Sequence, residues 1–153
     1  MARTTRGSVT DKAKVLAACP PFAMPAIERA LGPHVDITFV NTLVLARELM
    51  RTTENLAMVI CGVHFDESRM YDLLDYARRD FPHVPFLCVR ILQSEIPQIS
   101  LRALAIAAES LGAIGMIDFA AMAVEKGQAA AEQNLRTAVL ARLERGTARG
   151  IAS

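Results

Sequence analysis

Several features that mark specialised proteins are missing from this chain of 153 residues. No apolar run reaches the roughly 18 to 20 residues of a membrane span. The first ten residues lack the apolar core of a signal peptide. A net charge of only +1 argues against a general electrostatic grip on nucleic acid. These absences predict a cytoplasmic protein that binds neither membranes nor nucleic acid.

Cysteine is scarce as well. The three cysteines, Cys19, Cys61 and Cys88, lie at or near the ends of apolar runs. An odd count with no CxxC pair argues against a disulfide framework and against a zinc site. The thiols are therefore expected to be buried in a reducing compartment, and we predict neither a metal nor a cofactor.

The residues that are abundant indicate a globular domain. Apolar residues make up 52% of the chain and charged residues 22%, which favours a packed core over disorder. The length suits one domain. Both ends are small, polar and basic, so we predict flexible tails over residues 1–12 and 146–153 around a domain at 13–145.

The hydrophobic period switches repeatedly between the pattern of strands and that of helices. Continuous apolar or β-branched runs predict strands at 14–19, 35–40, 56–63, 84–89 and 113–118. Apolar residues at helical spacing predict helices around 26–31, 45–50, 70–77, 100–111 and 128–143. Asn41 or Thr42 is expected to cap the second of these, and a looser segment around Gly127 is expected before the last. Strands that alternate with helices pair in parallel through right-handed crossovers, so the predicted fold is a three-layer α/β sandwich.

In an open parallel sheet, ligands bind beyond the carboxyl ends of the strands. The candidate site residues are those that end or follow the predicted strands. They are Cys19, Pro20, Gly62, His64, Arg90 and Phe119.

Over residues 14–143, the order and spacing of the elements resemble the CheY-like receiver family of response regulators. The resemblance implies a five-stranded sheet in the order 2-1-3-4-5. It also implies an acidic pair that ends the first strand and holds magnesium, where this chain has Cys19 and Pro20. The phosphoryl-accepting aspartate of the family ends the third strand, and the segment VICGVHFDE places Gly62 there.

Two further family positions also lack the expected residue. The family has a Ser or Thr at the end of the fourth strand, where FLCVR supplies Arg90. It has a Lys-Pro step after the fifth strand, where GAIGMIDFA supplies Phe119 and Ala120. The four substitutions remove the oxygen ligands for Mg²⁺, the nucleophile, the switching hydroxyl and the cation that neutralises phosphate. We therefore predict a degenerate receiver with no phosphoacceptor and no catalytic residues.

Several alternatives remain open at this stage. Asp66 is the nearest acidic residue to the acceptor position, although a helix N-cap is the simpler role. Cys19 followed by proline, near His64, is compatible with a haem-type or other small-ligand sensor that uses the strand-end cleft. Cys19, His64 and Arg90 would also suit a cysteine-dependent enzyme. Arg90 would instead hold an acidic ligand, or form a salt bridge with Asp66 or Glu67 at the mouth of the cleft.

Receivers commonly dimerise or dock partners through the face of their fourth helix, fifth strand and last helix. In this chain, the apolar residues of the predicted fourth helix spread around more than one stripe. The predicted interface residues are Leu101, Leu104, Ala105, Ala108, Leu135 and Val139. The alternative is that alanine is simply a good helix former. The leading hypothesis is a stand-alone, non-enzymatic signalling protein of the bacterial two-component type. It would act as a homodimer, through protein contacts and without phosphorylation.

Overall fold

The computed structural model describes residues 12–92 and 98–152, with side chains described at 12–92 and 100–146. The predicted tail at residues 1–11 lies outside this range. The strands are β1 (Lys14–Ala18), β2 (Asp36–Val40), β3 (Leu56–Gly62), β4 (Phe86–Arg90) and β5 (Gly115–Asp118). The α-helices are α1 (Met24–Leu31), α2 (Leu43–Thr52), α3 (Met70–Asp80), α4 (Gln98–Ser110), α5 (Phe119–Lys126) and α6 (Gln128–Ala152). A single 3-10 turn, Pro21–Ala23, precedes α1.

All five strands run parallel in the order β2-β1-β3-β4-β5, which confirms the predicted fold class. The most apolar stretch of the sequence forms β3, at the centre of the sheet. Its last five residues are buried, because a strand covered by helices on both faces meets no water.

The helices cover the sheet in two layers, each with its own apolar core. On one face, β-strand side chains such as Leu16 and Val59 pack with Met50, Leu73 and Phe86. On the other face, Ile27, Leu31, Leu135 and Val139 pack against side chains that include Val15 and Ile60. The first layer contains α2, α3 and α4, and the second contains α1, α5 and α6.

Two helical boundaries differ from the prediction. The segment before Gly127, expected to be irregular, forms α5, which begins directly after β5. Its sequence FAAMAVEK is too uniformly apolar to show a helical stripe, so the period carried little signal. Gly127 adopts a φ of 98°, which ends α5 and separates it from α6. The last helix continues to Ala152, past the position where the C-terminal tail was predicted to begin.

Across the described residues, none of the helices combines the length and the apolar character that a membrane crossing requires.

Candidate functional site at the carboxyl edge of the sheet

Three of the predicted site residues surround one small cavity at the carboxyl edge. Pro20, Gly62 and His64 line it, and apolar side chains such as Val89 and Leu92 complete its wall. Its volume is about 10 Å³. A space of this size accommodates a single water molecule at most, on the order of 10–15 Å³ being needed for one. This small cavity therefore has no room for haem, flavin or another organic cofactor.

The floor of this edge is apolar and tightly packed. A Cβ built on Gly62 would lie 3.4 Å from the Cβ of Cys19 and 3.5 Å from the Cδ of Pro20. Cys19 is fully buried, and burial raises the pKa of its thiol to about 12. At neutral pH the sulfur is thus held as a protonated thiol, which is a poor nucleophile.

His64 does not complete a catalytic pair with Cys19. Its Nε2 is buried and makes no hydrogen bond within the described part of the chain. A general base must be hydrogen-bonded to the group it activates. That hydrogen bond is not made by Nε2 of His64 in this structure.

Arg90 is the charged centre of the carboxyl edge. It ends β4, only 5% of it is exposed, and its Nη1 donates to Oδ1 of Asp118 at 2.6 Å. Asp118 ends β5 directly opposite Arg90 in the sheet register. The same Oδ1 also accepts the backbone N–H of Ala121 at 3.0 Å and so caps the first turn of α5. One carboxylate thus joins β4, β5 and α5.

The prediction that Arg90 pairs with Asp66 or Glu67 is wrong, because Asp118 holds that position. The signal was present in the sequence: parallel neighbouring strands bring their last residues side by side, and Arg90 and Asp118 both end a strand. The family's Lys-Pro position, which falls on Phe119 and Ala120, directed the choice of site residue away from Asp118. Phe119 is instead the first residue of α5 and is buried in the apolar core.

Asp66 caps a helix, but this helix is α2 and not α3, the helix that follows Asp66 in the sequence and that it was expected to cap. Its Oδ2 accepts the backbone N–H of Leu43 at 2.7 Å, at the start of α2. Thr42, one of the two predicted caps of α2, accepts the N–H of Leu45. The turn of Asp66, Glu67 and Ser68 adopts positive φ angles of 42°, 55° and 69° at three consecutive residues that are not glycine. Such backbone conformations cost energy and persist where surrounding contacts hold them.

Most of the predicted interface residues are buried within the chain itself. Leu101 is 7% exposed, and Ala108, Leu135 and Val139 are fully buried. As direct contacts between two molecules these four were wrongly assigned, because their helical stripes face the chain's own sheet. Leu104 and Ala105 are partly buried. The exposed apolar side chains of this region are Ile106, at 59%, and Leu111, at 53%.

Among the described residues, no three His, Cys, Asp or Glu side chains lie together in a group that would hold a metal ion.

Comparison with known proteins relates this geometry to solved folds. No protein-family model matches the chain. No curated protein matches it either. Solved structures do match over nearly the whole length. The signal receiver domain of a Luxo repressor protein from Vibrio parahaemolyticus superposes with a TM-score of 0.69 at 14% identity, covering 93% of this chain and 98% of its own.

Two other receiver structures are similar to the same extent. The response regulator receiver domain protein from Clostridium thermocellum gives a TM-score of 0.65 at 18% identity, over 88% of this chain and 97% of its own. The signal receiver domain of an HD domain-containing protein from Pseudomonas fluorescens gives 0.63 at 16% identity, over 97% and 96%. Together with the strand order 2-1-3-4-5, these matches show that the chain has the CheY-like receiver fold.

Proposed function

We propose that this chain is a receiver-like signalling protein that works through protein contacts and is not phosphorylated. The observation that carries the proposal is the Arg90–Asp118 ion pair at the carboxyl edge of the sheet. A receiver needs clustered carboxylates there to hold Mg²⁺ and accept the phosphoryl group. Here Gly62, Cys19 and Pro20 supply no carboxylate, and Asp118, the acidic residue that ends β5, is engaged by an arginine.

The position of the ion pair supports a fixed state in preference to a switch. In a receiver, the hydroxyl that ends the fourth strand changes position when phosphate arrives. In this chain the corresponding Arg90 is tied to Asp118, and Asp118 also holds the first turn of α5. Moving Arg90 would break the ion pair with the carboxylate that caps α5. We therefore propose that β4, β5 and α5 are held in one arrangement, ready for a partner.

A phosphorylation assay tests this part of the proposal. Incubation with acetyl phosphate and Mg²⁺ is expected to leave the intact mass of the protein unchanged, because Gly62 supplies no carboxylate at the acceptor position. A receiver domain that carries its acceptor aspartate serves as the positive control. Asp66→Asn is the matched variant: a stable phosphoryl adduct on the wild type that this variant loses would identify Asp66 as the acceptor and refute the proposal.

The contact surface that we propose is the face of α4, β5 and α6, used for homodimerisation. β5 is an edge strand, and all four of its residues are partly exposed. Edge strands are usually shielded by charge, by proline or by a covering element. Here Met116 and Ile117 lie at the edge, and Ile106 and Leu111 add exposed apolar area on the adjoining helix segment.

Self-association is tested with a charge at the most exposed of these positions. Ile106→Glu is expected to raise the dimer dissociation constant about a hundredfold, because an interface contact would be replaced by a charge that must be desolvated. Sedimentation velocity over a dilution series measures it. Val44→Glu is the matched control, since Val44 is 76% exposed on α2, away from this face. A wild type that stays monomeric at all concentrations, or equal loss in both variants, would contradict the proposed dimer.

A further inference from the structure

The opposite, amino-terminal edge of the sheet contains a cavity far larger than the one lined by Gly62 and His64. A groove of about 850 Å³ lies there, between the two helical layers. Its lining includes residues at the starts of β3 and β4, the end of α2 and the last described side chains of α6. This volume falls in the range of about 300–1,000 Å³ that is typical of small-molecule sites. This space for a ligand is at the edge that receivers do not use for phosphate.

The groove has an apolar body and a cationic rim. Met50 and Val84 are buried at its floor, and Leu56, Phe81 and Leu143 add apolar wall. His83 and Arg142 provide N–H donors, and Arg142 provides a permanent positive charge. No Asp or Glu occurs among the residues described as lining the groove. A groove of this composition complements an apolar molecule with one anionic group.

We infer that this groove binds a small amphipathic anion, with an aromatic or aliphatic body against Phe81 and Leu143 and a carboxylate, sulfonate or phosphate at Arg142. An arginine fork recognises such groups through charge-assisted hydrogen bonds. The apolar walls supply the remaining affinity by removing the ligand's surface from water. This inference is independent of the proposed phosphorylation-independent role, since it does not involve the Arg90–Asp118 pair. The groove shares only α6 with the proposed dimer face and does not include Ile106.

The experiment uses two fluorescent probes on the full chain. Anilinonaphthalene sulfonate carries the anion, and phenylnaphthylamine is a similar apolar body without it. The sulfonate is expected to bind saturably at one site and about tenfold more tightly than the neutral probe. Arg142→Gln is expected to weaken sulfonate binding about tenfold and to leave the affinity of the neutral probe unchanged. Arg145→Gln is the matched control, because Arg145 is exposed on the same helix and does not line the groove.

Three outcomes would overturn the inference. The first is equal sulfonate affinity in wild type and Arg142→Gln. The second is an equal loss in Arg142→Gln and Arg145→Gln, which would indicate a general charge effect. The third is that the full chain binds no probe, while the chain without residues 1–11 does. This deletion is chosen because Ala13, which closely follows that segment, lines the groove. That result would assign the groove to the protein's own N-terminal segment.

Discussion

Asp118→Ala is expected to lower the free energy of unfolding by about 3 kcal/mol. The change breaks the ion pair with a buried arginine and removes the cap of α5 together. Losing one partner of a buried pair costs about 3–5 kcal/mol, and losing a cap costs about 1 kcal/mol. Because the Asp118 side chain is 34% exposed, solvent screens part of the charge interaction, and the total is set below the sum.

Two variants separate the contributions of Asp118. Asp118→Asn keeps an oxygen that accepts from Ala121 and Arg90 and loses only the charge, so its loss is expected to be about half as large. Asp75→Ala breaks the Arg79–Asp75 pair, in which both side chains are about two-thirds exposed, and is expected to cost less than about 0.5 kcal/mol. Urea denaturation followed by circular dichroism measures all three. A loss for Asp118→Ala as small as that for Asp75→Ala would show that the carboxyl-edge pair is not structural.

Leu135→Ala is expected to cost about 3 kcal/mol of stability and to leave the dimer equilibrium of the folded protein unchanged. Leu135 is fully buried against the sheet, and removing a buried leucine side chain leaves a cavity that costs about 2–5 kcal/mol. The urea midpoint and the sedimentation coefficient under native conditions provide the two measurements.

The matched control for Leu135 is its neighbour on the same helix. Asn134 is exposed, so Asn134→Ala is expected to change stability by no more than about 0.5 kcal/mol. If Leu135→Ala instead dissociated a dimer without loss of stability, the residue would belong to an interface, as its sequence context alone suggested. The pair of variants therefore distinguishes a core residue from a contact residue on one helix.

The fold was predictable because its signals are local and repeated. Five apolar strand segments, each followed by helical periodicity, determine parallel pairing whatever the exact boundaries are. The strand ends at Cys19, Gly62 and Arg90 were placed within about one residue, and the cap at Thr42 was among the two expected. What the period did not reveal was α5, since a helix that is apolar on nearly all sides shows no stripe.

The site was less predictable because it depends on contacts between distant segments. The Arg90–Asp118 pair joins residues that are far apart in sequence, and the site residue chosen at the end of the fifth strand was Phe119, the neighbour of Asp118. The predicted fourth and last helices are rich in apolar residues, but composition does not distinguish a sheet-facing leucine from an exposed one. The amino-edge groove left no sequence pattern, because four separate segments contribute to its lining.

The hydrogen bond from Leu43 to Asp66 links the turn after β3 to the beginning of α2. Asp66, Glu67 and Ser68 in that turn have left-handed backbones, which would relax if the hydrogen bond from Leu43 were broken. Release of the turn and fraying of the first helical turn are therefore a single event. A protein that binds Glu67 or Ser68 would consequently also change the first turn of α2, at Val44 and Leu45. This corner therefore couples two elements that are separate in the chain order.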